Sequence, residues 1–594
     1  MLNTCDKILF SLFTLLIVSD TYSQDLDSLS VVDSKYDSIL RSDGESMETL
    51  FYKHENDVLI NNLGPFGSSF YYPTTFYFQQ KEILEKTNQF NEKLFKLSGF
   101  RPYTNVTFIN ASRKEQIFYI KHVQEFGKLL LFDFDFKKIS SPGAYINQEA
   151  NNTSFKSNLK YSSRKENYTI RFSNGIYRNF YQENGGLFDV ENYELNVFED
   201  AQTFPVNLQN SNSFNKRYNF KLEQRLDLFQ INSDSNNSSK IYLKHTASYS
   251  TQQKVFFDND PLSTIYNNIY IDSIFSIDSI YSNNFSNTGF IGYRNKNYSV
   301  ELFGECDLKK YEQSFGLITN YNNTYAGILS SYTHGGLMVD IIAKYGVGGY
   351  RENDLESEMM LSYGKDKYKL TVGATYFLNE PDLKFINYTS NHFKWSNTFF
   401  EKQSTLGFNV IFKLKELQLE FKAESKLLNN TLFYDSLAIA NQDKNNASIT
   451  SFSLAKDYKL LNFHFRTVFI YQITSDELLF PLPEIIGRQV LYYQKHIFKG
   501  NLQFQFGLGF SYSTDYLGYA YMPAINEFYV QQKTTLGYYP KIDVFINTHL
   551  KRAQIFLKYE HINAGGSLPK SYAVPGYPPM AKSLKFGVSW NMFD

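Results

Sequence analysis

Charged residues in this chain recur at every second position, and that spacing limits the chemistry open to them. In "LLLFDFDFK", Asp133, Asp135 and Lys137 alternate with Phe132, Phe134 and Phe136. In "YNFKLEQRLDLF", Lys221, Glu223, Arg225 and Asp227 stand between Phe220, Leu222, Leu226 and Leu228. Arg171, His464, Arg466, Lys558 and Glu560 hold the same polar parity in their own stretches. A period of two puts such residues on one face of an extended strand, a separation that a helix cannot make. Side chains of this kind, arranged in rings around an aqueous lumen, set ion preference. Where both signs intermingle they neutralise one another across the wall and select nothing. Both readings stay open for each of these candidate lining residues.

No other constellation carries recognisable chemistry. Nine histidines are scattered without an H-E-x-x-H pattern or zinc-site spacing, so no metal site is expected. His464 alternates with Asn462 and Arg466 on a polar face, whereas His245 shares parity with Ile241 and Leu243 on an apolar one. "GESME" (Gly44 to Glu48) lacks the second glycine of a nucleophile elbow, and "GVGGY" (Gly346 to Tyr350) lacks dinucleotide-loop spacing. Glycine in the latter is expected to relieve crowding or set a bulge. Neither a catalytic residue nor a cofactor is expected. Cys5 and Cys306 are the two cysteines, too few for a disulfide framework or a cysteine zinc site. The net charge of −1 gives no reason to expect a nucleic-acid partner.

The elements that must carry the charges are strands throughout. In "NLQFQFGLGFSYSTD", Leu502, Phe504, Phe506, Leu508, Phe510 and Tyr512 alternate with Gln503, Gln505, Gly507, Gly509, Ser511 and Ser513. The last strand repeats this, with Leu584, Phe586, Val588, Trp590 and Met592 on one face, while Phe593 falls out of phase. Such segments run about ten residues or more, against ~5–6 for a globular strand and ~9–11 for a tilted strand crossing a bilayer. Aromatic residues make up 18% of the chain while mean hydropathy is −0.38. An apolar outer band with aromatic girdles around a polar lumen accommodates that mixture. The expected fold is all-β: a single large antiparallel transmembrane β-barrel of roughly 20–26 strands, with short turns on one side and long loops on the other. Turns are expected at 164–167, 294–297, 320–324 and 363–367, and longer connections near 181–214, 253–284 and 562–582.

The N-terminus reads as a secretory signal, residues 1–23, whose apolar run Ile8 to Val18 is short of the ~20 residues of a spanning helix. An acidic flexible tail is expected at 24–60, then an extended lead-in at 61–102 that runs along the barrel wall or partly into the lumen, and the barrel at 103–594. The tail is far shorter than the plug domain of a TonB-dependent transporter.

The stretches "PLPEIIGRQVLYYQKHIFKGNLQFQFGLGFSY", "YMPAINEFYVQQ" and "YPPMAKSLKFGVSWNM", with "NLGPFGSS" and "YQENGGLFD" upstream, resemble the putative β-barrel porins of the Bacteroidetes outer membrane. The likeness spans nearly all of the chain after the leader. It implies an outer-membrane pore and brings no established substrate. The expected function is passive diffusion of small hydrophilic solutes. Outer-membrane lipid and the outer-membrane assembly machinery are the expected partners, with oligomeric state undetermined. The alternatives are a plugged or partner-gated transporter or export component, and a surface structural or adhesion protein. The face assignment predicts that Phe506→Arg impairs assembly, at ~2–4 kcal/mol for a charge facing lipid near midplane, and that Gln505→Arg is tolerated. Heat-dependent gel mobility of the refolded variants checks both.

Overall fold

The computed structural model describes residues 102–593 apart from 195–199, 232–238, 317, 565–571 and 580–581. The expected leader, tail and all but the last residue of the lead-in lie outside the described residues. Alternation of apolar and polar residues folds the remainder into a closed antiparallel barrel of 22 strands. Consecutive strands pair around the ring, and the first, Tyr103–Ala111, pairs with the last, Ser583–Phe593. Among the described residues no helix is long and apolar enough to cross a membrane.

The two ends of the ring differ. At one end, strands reverse through 127–129, 163–167, 295–297, 335–336, 365–367, 415–418, 461–462, 498–501 and 551–552, and the terminal strands also start and stop there. At the other lie the long connections 184–210, 259–275, 380–402, 430–446, 514–540 and 561–582. Three of the longest strands, Ser211–Ile231, Ser239–Asp258 and Ser276–Arg294, run 21, 20 and 19 residues. A tilted crossing uses ~9–11 residues, so these walls project well beyond the bilayer. That projection corrects one expected turn. "NYNNT" (Asn320 to Thr324) lies inside the strand Ile318–His334, where alternation continues but the outward side chains have become polar. For the same reason the connection expected at 253–284 is shorter, 259–275, because both flanking strands continue past the lipid. The Gly346–Gly349 stretch does sit at a bulge, with a register shift against Thr324 and Tyr325.

Sidedness follows parity. Phe506 is 46% exposed while its neighbour Gln505 is fully enclosed. Leu584, Phe586, Trp590 and Met592 face outward, and Ser583, Lys585 and Ser589 are buried on the inner face. Several large inner-wall aromatic rings lie over glycines of the neighbouring strand. The Tyr242 ring covers Gly292 on the next strand, where a Cβ would stand 2.3 Å from the ring.

The seam between first and last strands is held on its inner face by polar side chains. Asn105 donates to Asn591 at 2.7 Å and to Ser589 at 3.1 Å, and the Thr107 hydroxyl donates to Ser589 at 2.8 Å. Toward the long-connection end a buried ionic cluster takes over. Lys585 lies 3.3 Å from Glu115 and 3.1 Å from Glu560, and Lys558 reaches Glu560 at 3.1 Å and Asp543 at 3.3 Å. Removing one member of a buried ionic group leaves its partners as uncompensated buried charges.

Two outcomes follow from these positions. Gln505 is fully buried and bonds Gln494 at 2.9 Å and Asn547 at 3.3 Å, so the tolerance expected of Gln505→Arg gives way to disturbed lumen packing. Gln503, half-buried on the same inner face, replaces it as the polar control for Phe506→Arg. Lys585→Met, which strands Glu115 and Glu560, should cost ~3–5 kcal/mol. A lowered temperature for the heat-induced gel shift of the refolded barrel measures it.

Candidate translocation path and its loop closure

The inner wall places every candidate lining residue in a local group rather than in one ring. Asp133 accepts from the Asn158 amide at 2.8 Å, and Asp135 accepts from the Tyr119 hydroxyl at 2.7 Å. Lys137 shares that strand face, opposite Tyr119 and Ser154. Two strands on, Arg171 stands opposite Glu223 in register and 3.8 Å from its carboxylate, which Lys221 also approaches at 3.8 Å. Arg225 binds Asp227 at 2.9 Å and covers the Tyr242 ring at 3.7 Å, while Lys240 meets Asp227 at 3.0 Å. Farther round, Arg466 pairs with Asp457 at 3.4 Å and His464 stacks on Tyr492 at 4.7 Å. Lys558 and Glu560 belong to the seam cluster. The register therefore brings the groups at 133–137 and 171–227 within four consecutive strands, and keeps 464–466 and 558–560 apart from them.

Sequence periodicity missed the feature that dominates the long-connection end. Three small hairpins pack there: Asn387–Thr389 with Lys394–Ser396, Thr431–Tyr434 with Ala440–Asp443, and Ala520–Met522 with Glu527–Tyr529. Phe256, Tyr388, Phe393, Trp395, Tyr434, Met522 and Ile525 form one buried apolar cluster. Phe256 belongs to the seventh strand of the ring, whereas Met522 and Ile525 lie in the connection from the nineteenth to the twentieth. In a ring of 22 those positions are almost opposite, so residues 514–540 form a strap across the barrel mouth. Stacked and edge-on rings, such as Tyr388 on Trp395 at 4.6 Å, add ~0.5–1.5 kcal/mol per pair beyond their burial.

Polar fasteners fix the strap from several sides. Glu527 accepts from Lys384 at 2.6 Å, and Lys254 lies 3.9 Å away. The Tyr521 hydroxyl reaches Glu183 at 3.3 Å, the Tyr519 hydroxyl donates to the Leu479 carbonyl at 2.8 Å, and the Val530 amide donates to Tyr434 at 3.0 Å. Burial works against the charge of Lys384, but the Glu527 carboxylate bonded to it, together with Asp382 and Tyr311, outweighs burial and pushes its pKa up to about 12. At the root of the strap, Tyr516 and Leu536 bridge, and Gly537 turns with φ +99 where a Cβ would stand 2.2 Å from the Thr514 carbonyl oxygen. At its tip Asn526 takes φ 54, a conformation that asparagine accepts readily, and its amide donates to Pro523 at 3.0 Å. A second apolar cluster joins Tyr145, Leu187, Tyr193, Phe204, Leu536 and Tyr572, and the Leu187 amide donates to Gly576 at 2.8 Å. The stretches "YQENGGLFD", "YMPAINEFYVQQ" and the start of "YPPMAK" thus meet in one closure.

The connection 380–402 is anchored by Asn391 and His392. The Asn391 side chain accepts from the Ile271 and Asp272 amides at 3.0 and 2.8 Å and donates to Ser276 at 2.7 Å. The His392 ring stacks on Tyr266 at 3.7 Å, with Nδ1 3.0 Å from the Asn268 carbonyl and Nε2 2.8 Å from the Ser276 hydroxyl. A carbonyl only accepts, so Nδ1 carries the proton and Nε2 accepts from Ser276. Burial lowers the His392 pKa from the ordinary histidine range. Nothing in the local pattern "SNHF" marks this residue, because its partners are more than a hundred positions away.

Beneath the strap lies a cavity of about 760 Å³. Its wall comes from the strands Leu355–Gly364, Tyr368–Asn379, Gln403–Leu414 and Leu419–Asn429, and its roof includes Phe385, Tyr434, Tyr519 and Phe528. Among the described residues no group of three or more His, Cys, Asp or Glu is arranged to hold a metal ion.

The lowered His392 pKa fixes the sign of a pH effect on the closure. Its contribution is complete above the ordinary histidine value, ~6.5, and is lost as pH falls through the lower folded-state value. Protection of the 380–402 amides, corrected for the slower intrinsic exchange at lower pH, should fall as the pH is taken from 7.5 to 5.5, and His392→Gln should flatten that pH difference.

Comparison with known proteins agrees with this architecture. Solved barrels of similar fold include the copper transporter OprC, with 9% identity, TM-score 0.58 and coverage of 83% of this chain and 81% of that one. The FrpB iron transporter from Neisseria meningitidis (F5-1 variant) gives 10%, 0.57, and 83% of each chain. A mutant ferric enterobactin receptor (PfeA) from Pseudomonas aeruginosa, in complex with enterobactin, gives 10%, 0.54, and 84% and 82%. At such identities the likeness is one of fold alone. No curated protein sequence matches the chain. The family model described as "Putative porin" matches residues 67–594, and with the closed ring and its polar inner wall this chain belongs to that family of outer-membrane β-barrels.

Proposed function

We propose that the protein is a diffusion channel of the outer membrane, non-enzymatic, passing small hydrophilic solutes along its lumen. Export by a cleaved N-terminal leader and insertion by the outer-membrane assembly machinery belong to the same reading. So does the orientation, with the long connections outside and the terminal strands starting and stopping at the periplasmic end. The observation that carries it is a closed ring whose inner parity is polar or charged along strand after strand, while the outer parity is apolar. A water-filled lumen is the environment in which such a wall is stable. Size exclusion and the local field of the paired charges would do the sorting, without turnover or cofactor.

A second reading is favoured by the strap. Residues 514–540 span the mouth and are clamped by Lys384, Lys254, Glu183 and two apolar clusters. The channel would then be narrowed or gated by its own connections, as in a plugged or partner-gated transporter. Single-channel recording of the full mature chain in a planar bilayer separates these readings. Small steps in the native protein, becoming several-fold larger when residues 518–531 are replaced by a short Gly-Ser linker, are expected of a strap that limits flux. Unchanged conductance in the deletion would show that the strap does not limit passage.

A further inference from the structure

The cavity beneath the strap is electrically unbalanced, which deepens the channel reading and rests on it. Among the described residues six carboxylates line it, Glu356, Glu358, Glu380, Asp382, Glu424 and Glu527, against the four cations Lys254, Arg351, Lys384 and Lys426. Most of these charges are already matched. Lys384 and Lys254 converge on Glu527 at 2.6 and 3.9 Å, and Arg351 bridges Asp354 at 3.2 Å and Asp382 at 2.6 Å. Glu380 lies 3.3 Å from Lys402, and Glu424 lies 2.5 Å from Lys422.

Glu356 and Glu358 are different. Both sit on the strand Leu355–Gly364 with exposed side chains toward the cavity. Glu356 faces Lys344 in register, yet the Lys344 ammonium turns to Glu305 at 2.7 Å and lies 3.9 Å above the Tyr325 ring. Glu358 stands between Ile342 and Thr375, neither of which carries charge. Among the described residues no ammonium or guanidinium group lies within ion-pairing distance of either carboxylate. Lys426 lines the same cavity from the strand Leu419–Asn429.

A surplus of one sign in a narrow aqueous space with low-dielectric walls concentrates counter-ions. Screening over ~8 Å at physiological ionic strength leaves charges within this cavity in control of it, and mutes the paired groups around the rest of the lumen. We propose that Glu356 and Glu358 are specificity-determining residues that give the cavity beneath the strap a preference for small cations over small anions. The ion pairs named above occupy Glu380, Asp382, Glu424 and Glu527, so these two carboxylates set the sign.

Reversal potentials of the full mature chain under a KCl gradient test this. The native channel should reverse on the cation side, and Glu356→Gln with Glu358→Gln should lower the potassium-to-chloride permeability ratio by roughly threefold or more. Both substitutions are isosteric at exposed positions, and heat-dependent gel mobility confirms that the barrel is intact. A native channel that reverses at zero or on the anion side, or an unchanged ratio in the double variant, overturns this inference alone. A barrel that inserts but never conducts overturns the channel reading and this inference with it.

Discussion

Lipid offers no hydrogen bond to an exposed strand edge, and that single constraint organises the whole molecule. A sheet of this length can satisfy its edge groups in a membrane only by joining its first strand to its last. The pairing of Tyr103–Ala111 with Ser583–Phe593 does so, and the side chains along it are chosen for the join. Asn105, Thr107, Ser589 and Asn591 bond across the inner face, and Lys585 ties the connector residue Glu115 to Glu560. Outward positions on the same strands are free to be apolar because nothing polar is asked of them there.

Once the ring is closed, its interior becomes a place where charge is tolerated and long connections have somewhere to go. Both consequences are visible. Inner-wall charges settle into short-range pairs within a strand and between adjacent strands, which leaves much of the lumen polar but nearly neutral. The connections at one end carry more aromatic surface than solvent-exposed loops can leave uncovered, and they bury it by folding toward the barrel axis. Trp395, Tyr388, Tyr434 and Met522 pack together because each is too large and apolar to be left in water. The strap therefore helps to form a buried apolar core set across the barrel mouth.

Much of the architecture was legible from residue spacing. Alternation at 130–137, 218–228 and 502–512 located strands and their faces, since a period of two has only one structural reading at that length. It failed where the outer face stops being apolar. Asn320 to Thr324 reads as a turn because a strand beyond the bilayer is wetted on both sides and loses its contrast. Gln505 was read correctly as polar-facing, but its confinement by Gln494 and Asn547 depends on neighbours found through register. Glu356 and Glu358 escaped notice for a related reason. That no described cation pairs with them follows from where Lys344 turns, which no pattern in their own strand reveals.

The sequence alone determined that this chain is a membrane β-barrel with a polar inside, because side-chain parity along a strand is a local property written in consecutive residues. Only the tertiary structure decided what the inside does. Tyr521 meets Glu183 across 338 positions, and His392 meets Ser276 across 116. Contacts at such separations arise from ring closure and from connections folding back into the ring. They depend on strand register and on the diameter that the strand number imposes, both of which are properties of the assembled sheet.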